Sequence, residues 1–168
     1  MELVDIVSKD NRVISKTTKQ KAHKKGLLHR TILAHVRDSK GRWLLVKQSS
    51  NRQDAGQYVS PVGGHIKAGE THAEALKRET FEELGFKNFK NKFVKKFIFN
   101  RFVLNRQENH YMMFYEVYTD ELPILNYESE SYKYFTEEEL KEDLRENPKL
   151  FGSSFHHLVG IAYRYLIK

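Results

Sequence analysis

The sequence predicts an α/β protein in which helices pack on both faces of a mixed β-sheet. Extended segments rich in β-branched and aromatic residues recur along the chain, and three segments carry the capping signals or the apolar stripe of helices. Strands and helices are interspersed, which favours a layered sheet over two separate regions. With 168 residues, the chain is expected to form one domain, residues 1–168.

The first strand candidates lie before residue 50. Residues 3–7 alternate as a short strand, and Val13-Ile14 begins a second extended piece after a polar turn. Two β-rich runs, 31–37 and 42–47, are separated by Asp38-Ser39-Lys40-Gly41, a composition that favours a hairpin. Residues 53–69 are expected to form a loop.

Two aromatic-rich runs form the later strand candidates. They cover residues 93–103 and 111–117, and the polar stretch 105–110 is expected to join them. Residues 101–110 and 121–134 are interpreted as loops that determine substrate selectivity.

Three helices are expected. Thr71 and Glu74 form a T-x-x-E capping box, and Gly85 is a typical C-terminal residue of a helix. A second box, Thr136-x-x-Glu139, opens a helix that ends near Asn147-Pro148. The last helix begins near residue 154 and places five apolar residues on one stripe: Phe155, Leu158, Val159, Ala162 and Leu166.

Composition limits the function classes. Without cysteine, disulfides, thiolate metal sites and thiol nucleophiles are excluded, so carboxylates, histidines and backbone groups must carry any metal or acid–base chemistry. No apolar run approaches the ~20 residues that cross a bilayer, which predicts a cytoplasmic protein without membrane contact. The net charge of +7 is concentrated in the first thirty residues. This pattern is more typical of a solvated surface than of a nucleic-acid partner.

Three glutamates on the central helix are the main candidates for chemistry. At about 100° per residue, Glu79, Glu82 and Glu83 fall within one arc of roughly 100°. Their mutual repulsion costs roughly 0.2–0.5 kcal/mol per pair unless a counter-charge or solvent compensates it. Acidic helix faces are also common without a ligand. A bound Mg²⁺ is the alternative, because this cation prefers carboxylate oxygens and substrate phosphates.

The surrounding residues favour the metal. Seven positions stand in the order G-x5-E-x7-R-E-x-x-E-E-x-G: Gly64, Glu70, Arg78, Glu79, Glu82, Glu83 and Gly85. This segment, residues 64–86, resembles the Nudix box of the Nudix hydrolases, although Thr80 and Phe86 stand where aliphatic residues are usual. The resemblance implies a Nudix-type α/β/α sandwich. It also implies that Gly64 and the three glutamates bind Mg²⁺ or Mn²⁺, and that Arg78 and Glu70 support the loop.

The sequence is also similar to the isopentenyl-diphosphate isomerase branch of this superfamily. The similarity lies in residues 24–30, K-K-G-L-L-H-R, and in 60–65, S-P-V-G-G-H. It implies a second site that could bind a transition metal such as Mn²⁺ or Zn²⁺ through His23, His29, His65, Glu108 and His110.

The residues of the isomerase reaction are missing. Gly63 stands where the branch has a cysteine, and His110 stands where it has a glutamate. Lys19 matches a diphosphate-binding residue, whereas Ser49 and Gln53 replace two basic residues and Arg52 lies beside the second. Lys19 and Arg52 are therefore the candidates for binding phosphate.

The sequence thus predicts a Mg²⁺-dependent enzyme that hydrolyses a small-molecule diphosphate linked to another moiety. A carboxylate outside the box could assist, and Glu108, Glu128 and Glu130 remain open for that role. One alternative is an isomerase with an unusual proton relay through His110. The other is a module that binds a nucleotide or RNA without turnover.

Overall fold

A computed structural model describes residues 1–168 as one mixed nine-stranded sheet with helices on both faces. The strands are β1 (Leu3–Val7), β2 (Val13–Thr18), β3 (His29–Arg37), β4 (Trp43–Gln48), β5 (Tyr58–Val59), β6 (Val62–His65), β7 (Lys90–Val103), β8 (Arg106–Tyr118) and β9 (Ser129–Phe135). The helices are α1 (Lys19–Lys25), α2 (His72–Leu84), α3 (Glu137–Glu146) and α4 (Ser153–Ala162), and short 3₁₀ turns cover Pro148–Leu150 and Arg164–Ile167.

Strand β3 is the centre of the sheet. It runs parallel to β8 and antiparallel to β6, so that Ile32 pairs with Met113 on one side and with Gly64 on the other. Strand β7 extends the sheet beyond β8, and β4 pairs with both β5 and β9. The glycine-rich strand β6 and the long hairpin β7–β8 therefore flank the same central strand.

Alternate residues of β3 enter different cores. Ile32 belongs to the core that includes Leu76 of α2, whereas Leu33 belongs to the core that includes Leu140 of α3 and Phe155 of α4. Because successive side chains of a strand point to opposite faces, the two cores lie on opposite faces of the sheet. The predicted α/β/α sandwich with a mixed sheet is confirmed.

Helix α2 forms as its capping signals predict. The Thr71 hydroxyl accepts from the Glu74 backbone at 3.2 Å, and the Glu74 carboxylate accepts from the Thr71 backbone at 2.8 Å. Gly85 ends the helix with a φ of 72°, which favours glycine. Thr80 and Phe86, the two atypical residues of the box, are both buried. Thr80 lies on α2, whereas Phe86 follows the end of the helix and packs in the same core as Leu76.

The basic segment near the N-terminus contains a fourth helix that the sequence analysis missed. Thr18 caps α1 by accepting from the Lys21 backbone at 3.2 Å, and Gly26 ends it with a φ of 62°. Its seven residues carry no apolar stripe, and only Ala22 and His23 are buried. Helix α1 therefore depends on tertiary packing more than on its own sequence.

Several loop assignments were wrong. Residues 106–110 belong to β8, and residues 129–134 belong to β9. The predicted loop 53–69 contains β5 and β6. The 31–37 and 42–47 runs pair only at two positions next to their turn, because residues 31–34 pair with β6 instead. None of the helices combines the length and hydropathy needed to span a bilayer.

Candidate functional site

The glutamates of α2 meet the glycines of β6. A Cβ placed on Gly64 would lie 2.2 Å from the Glu79 carboxyl carbon, so only glycine allows this approach. Glu83 accepts a hydrogen bond from the Gly63 backbone at 3.2 Å. Glu79 is buried and Glu82 is exposed. The three carboxylates therefore extend from the sheet to the solvent along one side of a cleft.

Burial makes the ionised form of two of these glutamates unfavourable. It raises the pKa of Glu79 to about 7, although Arg78 acts in the opposite direction. It also raises the pKa of Glu83 well above its ordinary value, and the nearby charges of Glu79 and Glu128 add to the effect. A divalent cation would favour the ionised form, because an opposite charge lowers a carboxyl pKa.

Arg78 connects the helix to the loop before it. Its Nε and Nη2 donate to the two oxygens of Glu70 at 2.7 and 2.9 Å. Nη2 also donates to the His65 carbonyl at 2.9 Å, and Nη1 donates to Glu79 at 2.6 Å. This bidentate pair, together with the backbone contact, holds the entry loop, β6 and Glu79 in one arrangement.

The glutamates line a cleft of about 430 Å³. Lys19 and Arg52, the two residues expected to bind phosphate, line the same cleft. Lys19 lies 3.7 Å from Glu2, and Arg52 donates to Glu128 at 3.0 Å. Arg101 and Arg106 also line the cleft, although the sequence analysis placed both in the selectivity loop 101–110 and gave neither a role of its own.

Of the three carboxylates outside the box, Glu128 is the one placed beside Glu83. Asn126 donates to the Glu82 carbonyl at 3.2 Å and accepts from the Glu128 backbone at 2.9 Å, which anchors this loop to α2. Glu130 instead pairs with Lys47 at 3.4 Å and does not line the cleft. Glu108 is buried and bound by two arginines.

Four histidines form a second cluster beside the cleft. They come from four elements: His23 from α1, His29 from β3, His65 from β6 and His110 from β8. Their candidate ligand atoms all lie within 4.8 Å of one another. Glu108, which the sequence analysis grouped with them, is outside this set. The other four histidines are also outside it.

The orientation of the rings suits a metal. His29 Nδ1 lies 2.7 Å from the Leu27 carbonyl, so this nitrogen must carry the proton and the buried Nε2 keeps a free lone pair without a partner. The Nε2 of His23 lies 3.2 Å from that of His65 and 3.3 Å from that of His110. A tetrahedral Zn²⁺ with bonds of about 2.0–2.1 Å places its ligand nitrogens about 3.3–3.4 Å apart. The two separations are therefore close to the edges of such a tetrahedron.

Burial keeps these rings neutral. It lowers the pKa of His23 to about 4 and that of His110 to about 3, and positively charged neighbours act in the same direction. The pKa of His29 is lowered and that of His65 falls well below its ordinary value, again mainly through burial. Neutral imidazole is the form that binds a metal.

Comparison with known families agrees with this geometry. The profile described as "NUDIX domain" matches residues 27–153, and the chain therefore belongs to the Nudix family of hydrolases acting on phosphorus-containing anhydrides. Its relatives place it in the isopentenyl-diphosphate isomerase-like branch of that superfamily.

Both isomerases and hydrolases occur among the names of those relatives. A Photorhabdus laumondii protein named isopentenyl-diphosphate Delta-isomerase 2 is 29% identical over 97% of this chain and 94% of its own length. An uncharacterized Nudix hydrolase of Streptomyces coelicolor is 33% identical over 59% of this chain and 56% of its own length.

Solved structures share the fold. A crystal structure of a Deinococcus radiodurans protein superposes with a TM-score of 0.77 at 22% identity, covering 97% of this chain and all of that one. A MutT protein from Methanosarcina mazei gives a TM-score of 0.66 at 22% identity, covering 84% of this chain and 96% of that one.

Proposed function

We propose that this protein is a Mg²⁺-dependent pyrophosphohydrolase that cleaves a diphosphate linked to another moiety. The observation that supports it best is the convergence of Glu79, Glu82 and Glu83 with Gly64 at a cleft that also contains Lys19. We also infer a cytoplasmic location and a small-molecule substrate, with no role for nucleic acid.

The donor set fits a hard divalent cation. Glu79, Glu82, Glu83 and the Gly64 carbonyl would bind Mg²⁺ or Mn²⁺, which prefer oxygen ligands. When bound, the cation neutralises phosphate charge and activates water for attack on phosphorus. Elevated pKa values of Glu79 and Glu83 are consistent with a site that becomes fully ionised only around a cation.

The remaining residues have separate roles. Glu128 would accept the proton of the attacking water, because it is the carboxylate outside the box that is held beside Glu83, with Arg52 as its only ion-pair partner. Arg78 and Glu70 maintain the loop and do not touch the substrate. Lys19 and Arg52 bind the phosphate groups.

The four histidines hold a second metal of the transition series. Zn²⁺ fits their uncharged nitrogen donors, and the distances of 3.2 and 3.3 Å from His23 Nε2 to the Nε2 atoms of His65 and His110 are close to the ligand separation of a tetrahedral site. A metal held by these four residues would join α1 to the sheet and would have a structural role.

A substrate screen tests the hydrolase proposal. Purified protein with Mg²⁺ is incubated with nucleoside triphosphates, nucleotide sugars, dinucleoside polyphosphates and isopentenyl diphosphate, and release of phosphate or pyrophosphate is measured. Hydrolysis that requires Mg²⁺ and is absent from Glu83→Gln supports the proposal. Specific binding of one of these compounds without turnover favours the binding module instead.

Isomerisation is the second candidate, favoured by the isomerase-named relative that matches nearly the whole chain. Gly63 provides no thiol, and His110 lies inside the histidine cluster. We expect no deuterium exchange at the allylic carbon of isopentenyl diphosphate in ²H₂O, as measured by NMR. A Cβ at Gly63 would lie 3.6 Å from Leu33, an ordinary contact, so Gly63→Cys should fold. This variant introduces the missing thiol and is compared with wild type in the same assay. Exchange by wild type that is lost in His110→Ala would establish the isomerase.

A further inference from the structure

One buried carboxylate holds two arginines at the wall of the cleft. Arg101 on β7 donates from Nε to Glu108 Oε2 at 2.7 Å, and Arg106 on β8 donates from Nη2 to Glu108 Oε1 at 2.7 Å. Only 3% of Glu108 is exposed. Arg101 is held further by Asp54 at 2.9 Å and by Ser153 at 3.0 Å. Both oxygens of Glu108 are therefore used to orient guanidinium groups.

These contacts leave donors free. Of the five N–H groups of each guanidinium, those on Nη2 of Arg101 and on Nη1 of Arg106 reach no protein acceptor. Both side chains line the same cleft as Glu79. A guanidinium that is already oriented loses little rotational freedom when it binds a ligand, which favours recognition of planar or tetrahedral oxyanions.

The arginines and the box glutamates lie on opposite sides of β3. Strand β6, which carries Gly64, pairs with one edge of β3, and β8 pairs with the other. With about 4.8 Å between neighbouring strands, β6 and β8 are about 10 Å apart. A ligand in the cleft can therefore meet the glutamates from one side and the arginines from the other.

The local charges define what this wall can bind. Arg101 and Arg106 are balanced by Glu108 and Asp54, so the wall attracts through oriented donors and not through net charge. Such a wall suits a phosphate group whose charge is shared with a cation at the glutamates. It does not suit an apolar chain, which would leave the free N–H groups unpaired.

We infer that Arg101 and Arg106 form a phosphate subsite for the substrate on the β8 side of the cleft, and that Glu108 is its positioning residue. This assignment rests on the proposed hydrolysis of a diphosphate. It gives Glu108 a different role from the metal ligation that the sequence resemblance implies.

Pyrophosphate binding tests the subsite without turnover. Calorimetry with inorganic pyrophosphate and Mg²⁺ compares wild type with Arg101→Met and Arg106→Met. Loss of one charge-assisted hydrogen-bonding group should raise the dissociation constant for pyrophosphate about tenfold in each variant. Arg145→Met is the control, because Arg145 is exposed and pairs only with Glu146. Wild-type affinity in folded Arg106→Met and Arg101→Met would overturn the subsite.

Glu108→Gln separates positioning from metal ligation. We expect weaker pyrophosphate binding and a KM that rises more than kcat falls, with the metal content of the histidine cluster unchanged. Loss of that metal with unchanged pyrophosphate affinity would make Glu108 a ligand and contradict the inference. Glu108→Gln leaves buried guanidinium charge without its partner, which can destabilise the fold. Arg106→Met is therefore an independent test, because Arg106 is only half-buried.

The outcomes distinguish this inference from the hydrolase proposal. Arginine-dependent pyrophosphate binding without hydrolysis of any substrate would support the subsite and contradict the hydrolase proposal. Hydrolysis whose KM is the same in wild type and both arginine variants would support the hydrolase proposal and contradict the subsite.

Discussion

The glutamate site and the histidine cluster lie side by side but are built in opposite ways. Glu79, Glu82 and Glu83 come from one turn of one helix, repel one another and reach solvent at Glu82. The histidines come from four elements, are uncharged and lie mostly out of contact with water. The first site is suited to hold a hydrated cation against a substrate, and the second to enclose a metal. The histidines therefore lie beside the cleft without having to take part in the reaction.

The largest effect is expected at the glutamates. Glu83→Gln should lower kcat at least about 100-fold, since a catalytic cation supplies several kcal/mol of charge stabilisation. The protein should stay folded, because glutamine keeps the size of a side chain whose ionised form is already disfavoured by desolvation. Steady-state kinetics and circular dichroism check both points, with the exposed Glu142→Gln as control. Wild-type kcat in Glu83→Gln would remove this residue from the site.

A smaller loss is expected outside the box. Glu128→Gln should reduce kcat about 100-fold with little change in Mg²⁺ affinity, at the lower end of the 10²–10⁴-fold that general-base assistance typically contributes. Glu130→Gln is the matched control, because Glu130 is two residues away and pairs with Lys47 at the surface. The pH–rate profile provides the second measurement. Equal rates for the two variants would leave the attacking water without an assigned base.

The glutamate site could be predicted from sequence because its residues are contiguous. A helix repeat and one motif place Glu79, Glu82 and Glu83 together, and the capping residues Thr71 and Glu74 define where the helix begins. The histidines could be grouped only through resemblance, since no local pattern connects His23 with His110. Their spacing arises from the pairing of β3 with β6 and β8.

The arginine pair could not be predicted for a related reason. The hairpin that aligns Arg101 with Glu108 turns at Leu104-Asn105, where φ is 50° and 58°. A tight turn with two positive φ values is usually signalled by Asn-Gly or Asp-Gly, and leucine gives no such signal. The polar composition of residues 105–110 therefore suggests a loop, and the register of the hairpin cannot be inferred from the sequence.

Removal of the histidines should change stability more than rate. The His23→Ala/His29→Ala variant is expected to lose one equivalent of transition metal, as elemental analysis would detect, while Mg²⁺ still binds the glutamates. A metal present at 100 times its dissociation constant stabilises the folded state by about 2.7 kcal/mol, or roughly 5–10 °C in Tm. Retention of the metal, or loss of Mg²⁺ binding instead, would contradict the division between the two sites.

The smallest expected effect is a difference in how the two sites respond to pH when no metal is bound. The folded-state pKa of His23 is about 4, below its ordinary 6.5, so between these values the unfolded chain binds a proton that the folded chain does not. Stability from this group therefore falls as pH decreases from 6.5 to about 4. Glu79 has the opposite sign: its folded-state pKa of about 7 exceeds 4.5, so stability falls as pH rises between them.

Urea midpoints measured in EDTA between pH 4.5 and 7.5 separate the two contributions. Glu79→Gln removes the loss of stability that ionisation of Glu79 causes as pH rises, so the urea midpoint of this variant should rise with pH more steeply than that of wild type. His23→Asn removes the gain of stability that His23 contributes as pH rises, so the urea midpoint of this variant should rise less steeply than that of wild type. Added Mg²⁺ should stabilise wild type most at the upper end of the range, where the glutamates are ionised, and should stabilise Glu79→Gln much less. Parallel curves for the three proteins would mean that neither site is desolvated in solution to the extent that its burial implies, and the contrast between a charged site and a neutral one would then rest on geometry alone.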